Sequence, residues 1–303
     1  MKRVLAALLA VLMMIAVLPI TSPPAQAKVD DFTISASVTS TYVGEFIRWT
    51  VSNVTGGSGN YKYQFVFYKN GDYFGSNFMS ADASCDFVPP SPGRYKVKVT
   101  VYDGMFGLQK ESAEVTVKAR PIRITKVEPL GATSLKITWG KVEGATLYEV
   151  WRSTSMNSGW TLAKKTFDTS FSNTYLTAGT RYFYKVRYYV PSFEWDDYIS
   201  AFSPVAAGVP MAKTRITSLT SPSARRIRMT WAKAAGASGY QVAMASRANG
   251  SYKSVRIVTG GTTAIFSGVK SGSTLFFKVR PYRRVYTTTY WGQYSAYRSV
   301  RVK

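Results

Sequence analysis

Histidine is absent from all 303 residues. That single fact removes Ser-His-Asp and Cys-His nucleophile pairs and most zinc sites. Cys85 is the only cysteine, so no intrachain disulfide is available, and without a histidine partner its thiol is a poor nucleophile. It reads as a small, half-buried strand residue before Phe87. Carboxylates gather twice, at Asp82 and Asp86 and at Glu194, Asp196 and Asp197. A glycosidase pair must flank a substrate in a cleft, whereas these sit in loops of small β domains and read as solvated. Neither run has the spacing of a calcium loop. Gly56-Gly57-Ser58-Gly59 precedes a strand rather than a helix, so it is no phosphate cradle. No catalytic residue, metal site or cofactor is expected, and the chain reads as a non-enzyme.

The remaining chemistry belongs to cations and aromatics, and strands must position them. Hydrophobic residues alternate with polar ones at a period of two almost throughout. Tyr61, Tyr63, Phe65 and Phe67 alternate with Lys62, Gln64, Val66 and Tyr68; Tyr95, Val97, Val99 and Val101 do so with Lys96, Lys98, Thr100 and Tyr102. Turn signals such as Asn70-Gly71 and Pro92-Gly93 separate the runs. The expected fold class is all-β.

Residues 135–160 lie over 227–252 without a gap at an offset of 92, with Trp139/Trp231, Lys141/Lys233, Gly144/Gly236, Tyr148/Tyr240 and Val150/Val242 identical. The later run from Tyr182 to Tyr189 matches Leu275 to Tyr282 at an offset of 93. A unit of this length fits a seven-stranded sandwich. Counting back places boundaries near Lys118-Ala119-Arg120-Pro121 and Pro210-Met211-Ala212-Lys213. Three consecutive sandwich modules are expected, over 28–118, 119–210 and 211–303, joined by linkers too short for free tumbling.

The residues Leu135 to Trp139, Gly144 to Val150, Leu176 to Tyr182 and Tyr184 to Arg187 resemble a fibronectin type III domain, and the resemblance covers two copies over about 119–303. It is strongest to versions found in secreted proteins of Gram-positive bacteria. It implies a spacer or binding role, a core Trp on strand B, and a tyrosine corner at Tyr182, for which the second copy has Leu275. The first module, with Val43-Gly44-Glu45, Trp49 and Pro92 to Asp103, is similar to bacterial immunoglobulin-like and PKD-type domains.

Met1-Lys2-Arg3, the apolar run from Val4 to Leu18 and Ala25-Gln26-Ala27 describe a secretory signal peptide over 1–27. The run is too short to span a bilayer, and no later segment is apolar enough, so a mature chain without a transmembrane segment is expected outside a Gram-positive cell, associated with its wall. Intracellular nucleic acid is then no partner.

The formal net charge of +23 is unevenly distributed. The first module balances nine basic residues against nine acidic ones; the second has eleven against seven; the third has seventeen and no acid at all. A domain so charged repels itself and attracts polyanions. By strand parity Ile227, Met229 and Trp231 point inward, leaving Arg226 and Arg228 outside. Leu275, Phe277 and Val279 point inward likewise, exposing Phe276, Lys278, Arg280 and Tyr282. The following hairpin adds Arg283, Arg284, Tyr286, Tyr290 and Trp291. The polyanion-binding residues are thus expected to be Arg226, Arg228, Lys278, Arg280, Arg283, Arg284, Tyr290 and Trp291, on two faces, with teichoic acid or an acidic polysaccharide as partner. In the second module Trp151, Phe183, Tyr189 and Trp195 are expected to form a row on which neutral sugar rings stack, unless Trp151 packs against Trp160 or a neighbouring module. A third reading is a purely structural protein whose modules bind one another; other surface proteins or glycans are further candidate partners.

Overall fold

The computed structural model describes residues 28–191 and 196–303; the signal-peptide segment, Glu194 and Trp195 lie outside them. The described chain is all-β, without a helix, and none of it forms a helix long and apolar enough to cross a membrane. It divides into two compact units. One holds 28–39, Arg48–Asp86 and Arg94–Val115; the other holds Ser40–Ile47, Phe87–Gly93 and Thr116–Lys303.

The strands over 28–118 are β1 (Val29–Ala36), β2 (Ser40–Tyr42), β3 (Ile47–Gly56), β4 (Tyr61–Lys69), β5 (Asp72–Ser76), β6 (Ser84–Phe87), β7 (Gly93–Asp103), β8 (Phe106–Glu111) and β9 (Val115–Lys118). In the first unit, β3 lies between β1 and β6. There too, β4 pairs antiparallel with β5 and β7, and β7 with β8. Residues Trp49, Phe65, Tyr95, Val97 and Val99 are fully buried, the inward half of the alternation. In the second unit β2 runs parallel to β9.

The two repeats have one plan. Over 119–210 the strands are β10 (Ile124–Gly131), β11 (Ser134–Trp139), β12 (Leu147–Ser153), β13 (Thr161–Thr166), β14 (Ser170–Asn173), β15 (Tyr182–Val190), β16 (Tyr198–Ile199) and β17 (Ala206–Gly208). One sheet has the order β10-β11-β14; the other has β13-β12-β15-β16, with β17 also on β15. Over 211–303 they are β18 (Ile216–Ser223), β19 (Arg226–Trp231), β20 (Gly239–Ala245), β21 (Lys253–Thr259), β22 (Thr263–Ser267), β23 (Thr274–Val285), β24 (Thr288–Trp291) and β25 (Arg298–Arg301). The orders repeat as β18-β19-β22 and β21-β20-β23-β24, with β25 on β23. This is the sandwich arrangement of fibronectin type III and immunoglobulin-like domains.

The identical residues of the repeat do the same work twice. Trp139 and Tyr148 meet at 5.7 Å between ring centres, Trp231 and Tyr240 at 5.5 Å. Each tyrosine hydroxyl also accepts a backbone N–H from six residues upstream, from Val142 at 3.0 Å and from Ala234 at 2.7 Å. These phenols are buried, and a buried hydroxyl without a partner would cost about 1–3 kcal/mol. Ile227, Met229, Phe277 and Val279 are fully buried, as their parity requires. Tyr182 accepts the N–H of Thr177 at 3.0 Å, the tyrosine-corner bond for which Leu275 has no hydroxyl.

Gly236 has a second task that its repeat partner Gly144 lacks. Both adopt the left-handed region, at φ +84° and +78°. A Cβ at Gly236 would lie 2.7 Å from the Gly179 nitrogen and 2.8 Å from the Pro210 carbonyl oxygen, whereas one at Gly144 meets only a Val190 methyl at 3.9 Å. The second and third modules therefore approach backbone to backbone at Gly179 and Gly236, and Gly179 donates to Pro210 at 2.9 Å. Gly144→Ala should cost roughly 1–2 kcal/mol, the left-handed strain alone. Gly236→Ala should cost measurably more in urea unfolding, because backbone atoms must also separate.

Candidate anion-binding surface

The outer face of the larger sheet in each repeat carries the cations and rings, because odd positions of β12 and β15, and their counterparts on β20 and β23, face away from the core. In the second module these side chains interlock. Lys185 lies over Trp160 at 4.5 Å and over Phe202 at 4.1 Å; Arg187 lies over Phe202 at 4.9 Å and over Trp151 at 5.7 Å. Trp151 meets Phe202 edge-on at 5.8 Å. Each contact puts a cation on the electron-rich face of a ring.

At the centre of this ladder sits Glu149, only 3% exposed. It accepts Arg187 Nε at 2.7 Å, Trp151 Nε1 at 3.1 Å and the Tyr189 hydroxyl at 2.8 Å, and Lys165 Nζ stands 3.0 Å away. Burial alone would raise its pKa. The donors from Lys165, Trp151, Tyr189 and Arg187 outweigh burial and hold the carboxyl at about 2. A group depressed in the folded state stabilises the fold above its ordinary value, near 4.5, and the contribution fades as pH falls toward 2.

The expected row of sugar-stacking rings in the second module therefore takes another form. Phe183 is 5% exposed, with the Arg181 guanidinium over its ring at 4.7 Å. Trp151 is half-buried and meets Phe202 edge-on. Tyr189 spends its hydroxyl on Glu149. Trp195 lies outside the described residues.

The third module keeps the ladder and changes its charges. Lys278 lies over Tyr252 at 4.2 Å, as Lys185 does over Trp160. Ser203 and Ser295 hold the same place, each accepting a β15 or β23 backbone N–H at 3.1 Å, so Tyr294 stands where Phe202 does. Arg280 corresponds to Arg187 and lies 4.2 Å from Trp291 and 4.5 Å from Tyr294. Gln241 replaces Glu149, accepting Arg280 Nε and the Tyr294 hydroxyl, each at 2.7 Å. Across the strand pair, Lys165 opposite Glu149 becomes Ile257 opposite Gln241. Acid and opposing cation are lost together while the arginine stays.

The other expected cations divide among three environments. Arg226 and Arg228 are exposed on β19, in the smaller sheet, so they form a face separate from that of β23. Arg284 is exposed and Tyr290 half-buried on the β23–β24 hairpin. Arg283 departs from expectation: its Nε is buried without a hydrogen-bond partner among the described residues, and its guanidinium carbon would lie 3.5 Å from a Cβ at Gly179. It packs at the junction of the second and third modules. Arg181 reaches across the same junction to Tyr286 at 5.6 Å. Tyr282 is also buried, at 8%, because side-chain-free Gly239 lets its ring cross β20, where a Cβ would be 2.6 Å from its hydroxyl. Parity showed which face these residues occupy but not what lies over them; Gly239 was the one local signal for Tyr282.

In the first module Asp86 pairs with Arg48 at 2.6 Å. Burial and neighbouring Asp86 push the Cys85 thiol up to about 11, which keeps it protonated at neutral pH. Among the described residues no group of three or more His, Cys, Asp or Glu side chains could hold a metal ion.

Strand order and register define a chain of fibronectin type III-like and immunoglobulin-like sandwiches. No protein-family model and no curated protein matches it. Among solved structures it is similar to the FN1–FN3 domains of chicken CNTN1, with 13% identity, 91% of this chain and 97% of that chain covered, and a TM-score of 0.32. The fold assignment rests on the strand pairing itself.

Glu149→Gln leaves Arg187 and Lys165 side by side over a neutral amide, and should cost about 3 kcal/mol, the usual scale for orphaning a buried ion pair. Adding Lys165→Ile reproduces the pairing of the third module and should recover much of that loss. Urea unfolding of the two variants at pH 7 measures both.

Proposed function

We propose that the protein is a non-catalytic binding module chain held by its third module on an anionic polymer outside the cell, with teichoic acid or an acidic polysaccharide of a Gram-positive wall as the partner class. The observation that carries this reading is a module with seventeen cations and no acid, whose cations are accommodated by rings and carbonyls. Lys278 rests on Tyr252, Arg280 on Trp291 and Tyr294, and Arg256 on Phe266 at 5.8 Å. Arg298 donates to the Thr217 carbonyl at 3.1 Å. None of these contacts cancels charge, so the field of the module stays outward and positive. The neutral first module is then free for display to a second partner.

Such binding releases counterions and must weaken steeply with salt. The mature chain should cosediment with purified Gram-positive walls at about 50 mM salt and be released by about 500 mM, a range over which the screening length shortens several-fold. Walls stripped of teichoic acid should retain less protein. Retention that ignores both salt and stripping would sink the electrostatic reading.

A further inference from the structure

The second module displays what its outer-face framework is built to hold. An arginine lying on aromatic rings, a lysine, an indole N–H and a phenol converge there on one carboxylate, that of Glu149. In the third module the arginine and its rings recur, but the carboxylate is an amide, and the module contains no other acid to replace it. Among the described residues, Gln241 Oε1 is the hydrogen-bond acceptor for Arg280, and it engages Nε alone. Arg280 is half-buried, and the two residues whose rings flank its guanidinium, Trp291 and Tyr294, are 38% and 39% exposed.

Resting on the polyanion reading above, we infer that the Arg280–Trp291–Tyr294 niche is a specific site for a carboxylate borne on a sugar ring, supplied by an acidic polysaccharide. Three features select this chemistry. The equivalent arginine in the second module meets a carboxylate through both Nε and Nη2. A guanidinium whose Nη edge is free takes a carboxylate through paired, charge-assisted hydrogen bonds. Half-exposed rings on both sides offer apolar faces to the C–H surface of a pyranose, a surface that an inorganic phosphate chain lacks. Lys278 lies two residues along β23, about 7 Å away on the same face, with Tyr252 beneath it, so a second saccharide unit meets the same combination of cation and ring.

Gln241→Glu tests this within the intact chain. It restores the arrangement of the second module, so the fold has a precedent for it, and it pairs Arg280 with an internal carboxylate. Lys270→Gln lowers the net charge by the same single unit in the exposed turn before β23, and serves as the control. Binding of the mature protein to polygalacturonate and to inorganic polyphosphate is measured by calorimetry at about 50 mM salt, low enough to leave exposed charges little screened. The expected result is a tenfold or greater loss of polygalacturonate affinity in Gln241→Glu, against less than twofold in Lys270→Gln. Trp291→Leu, which keeps every charge, should weaken polygalacturonate binding several-fold and leave polyphosphate binding unchanged. Equal losses in Gln241→Glu and Lys270→Gln, or tight binding of polyphosphate with none of polygalacturonate, overturn the site while the polyanion reading stands. Failure of the unsubstituted protein to bind either polymer overturns that reading itself.

Discussion

A guanidinium lies across the outer face of each repeated module, and much of the face is organised by how its charge is met. Arg187 and Arg280 occupy the same register on β15 and β23, opposite Glu149 and Gln241. An arginine tolerates this half-buried place because its planar cation is weakly hydrated and stacks on rings. In the second module a carboxylate completes the arrangement and draws in Lys165, Trp151 and Tyr189. The resulting cluster is self-contained, with its donors directed at one buried acid. In the third module the neutral amide accepts one guanidinium donor and the Tyr294 hydroxyl, and leaves the charge of Arg280 unpaired among the described residues. The same scaffold thus yields a closed electrostatic knot in one copy and an open one in the next.

The changes between the copies are coupled, which is the argument that they are not drift at independent surface positions. Losing the acid alone would leave Arg280 and a lysine at position 257 converging from the two flanking strands on a neutral amide, a like-charge approach that costs stability. Ile257 removes that conflict. Trp151 becomes Ala243, and Trp291 on the neighbouring hairpin supplies the ring instead. Phe202 becomes Tyr294, whose added hydroxyl bonds the new amide. Five positions on four strands or loops move together to keep one arginine stacked.

The strand plan was legible in the sequence because a period of two and an ungapped repeat report directly on burial. Ile227, Met229, Trp231, Phe277 and Val279 are buried where alternation places them, and the Trp–Tyr pairs recur because the same core must be filled twice. Alternation assigns a residue to a face but carries no information about what covers that face. Phe183 and Tyr282 are outward by parity and buried nonetheless, one beneath Arg181 and the other across side-chain-free Gly239. Glu149 is likewise outward and buried, under side chains 38 residues or more away in sequence as well as its own neighbours. Such coverage is a tertiary property of long side chains. Arg283 illustrates the same limit at a junction, since its Nε is buried where its guanidinium approaches Gly179 of the preceding module.

Net charge and paired charge are different quantities, and the third module separates them. Its seventeen cations raise the cost of the compact state through mutual repulsion, yet rings offset part of that cost without neutralising anything. A cation over a ring retains its field, because the quadrupole it contacts carries no net charge. An internal acid would have stabilised the module more simply, as Glu149 does in its neighbour, but would have silenced the arginine it contacts. Aromatic support is therefore the form of stabilisation that leaves the positive field of the surface intact. That compatibility gives Trp291 and Tyr294 a physical role distinct from core packing: they hold Arg280 in place while leaving its charge available.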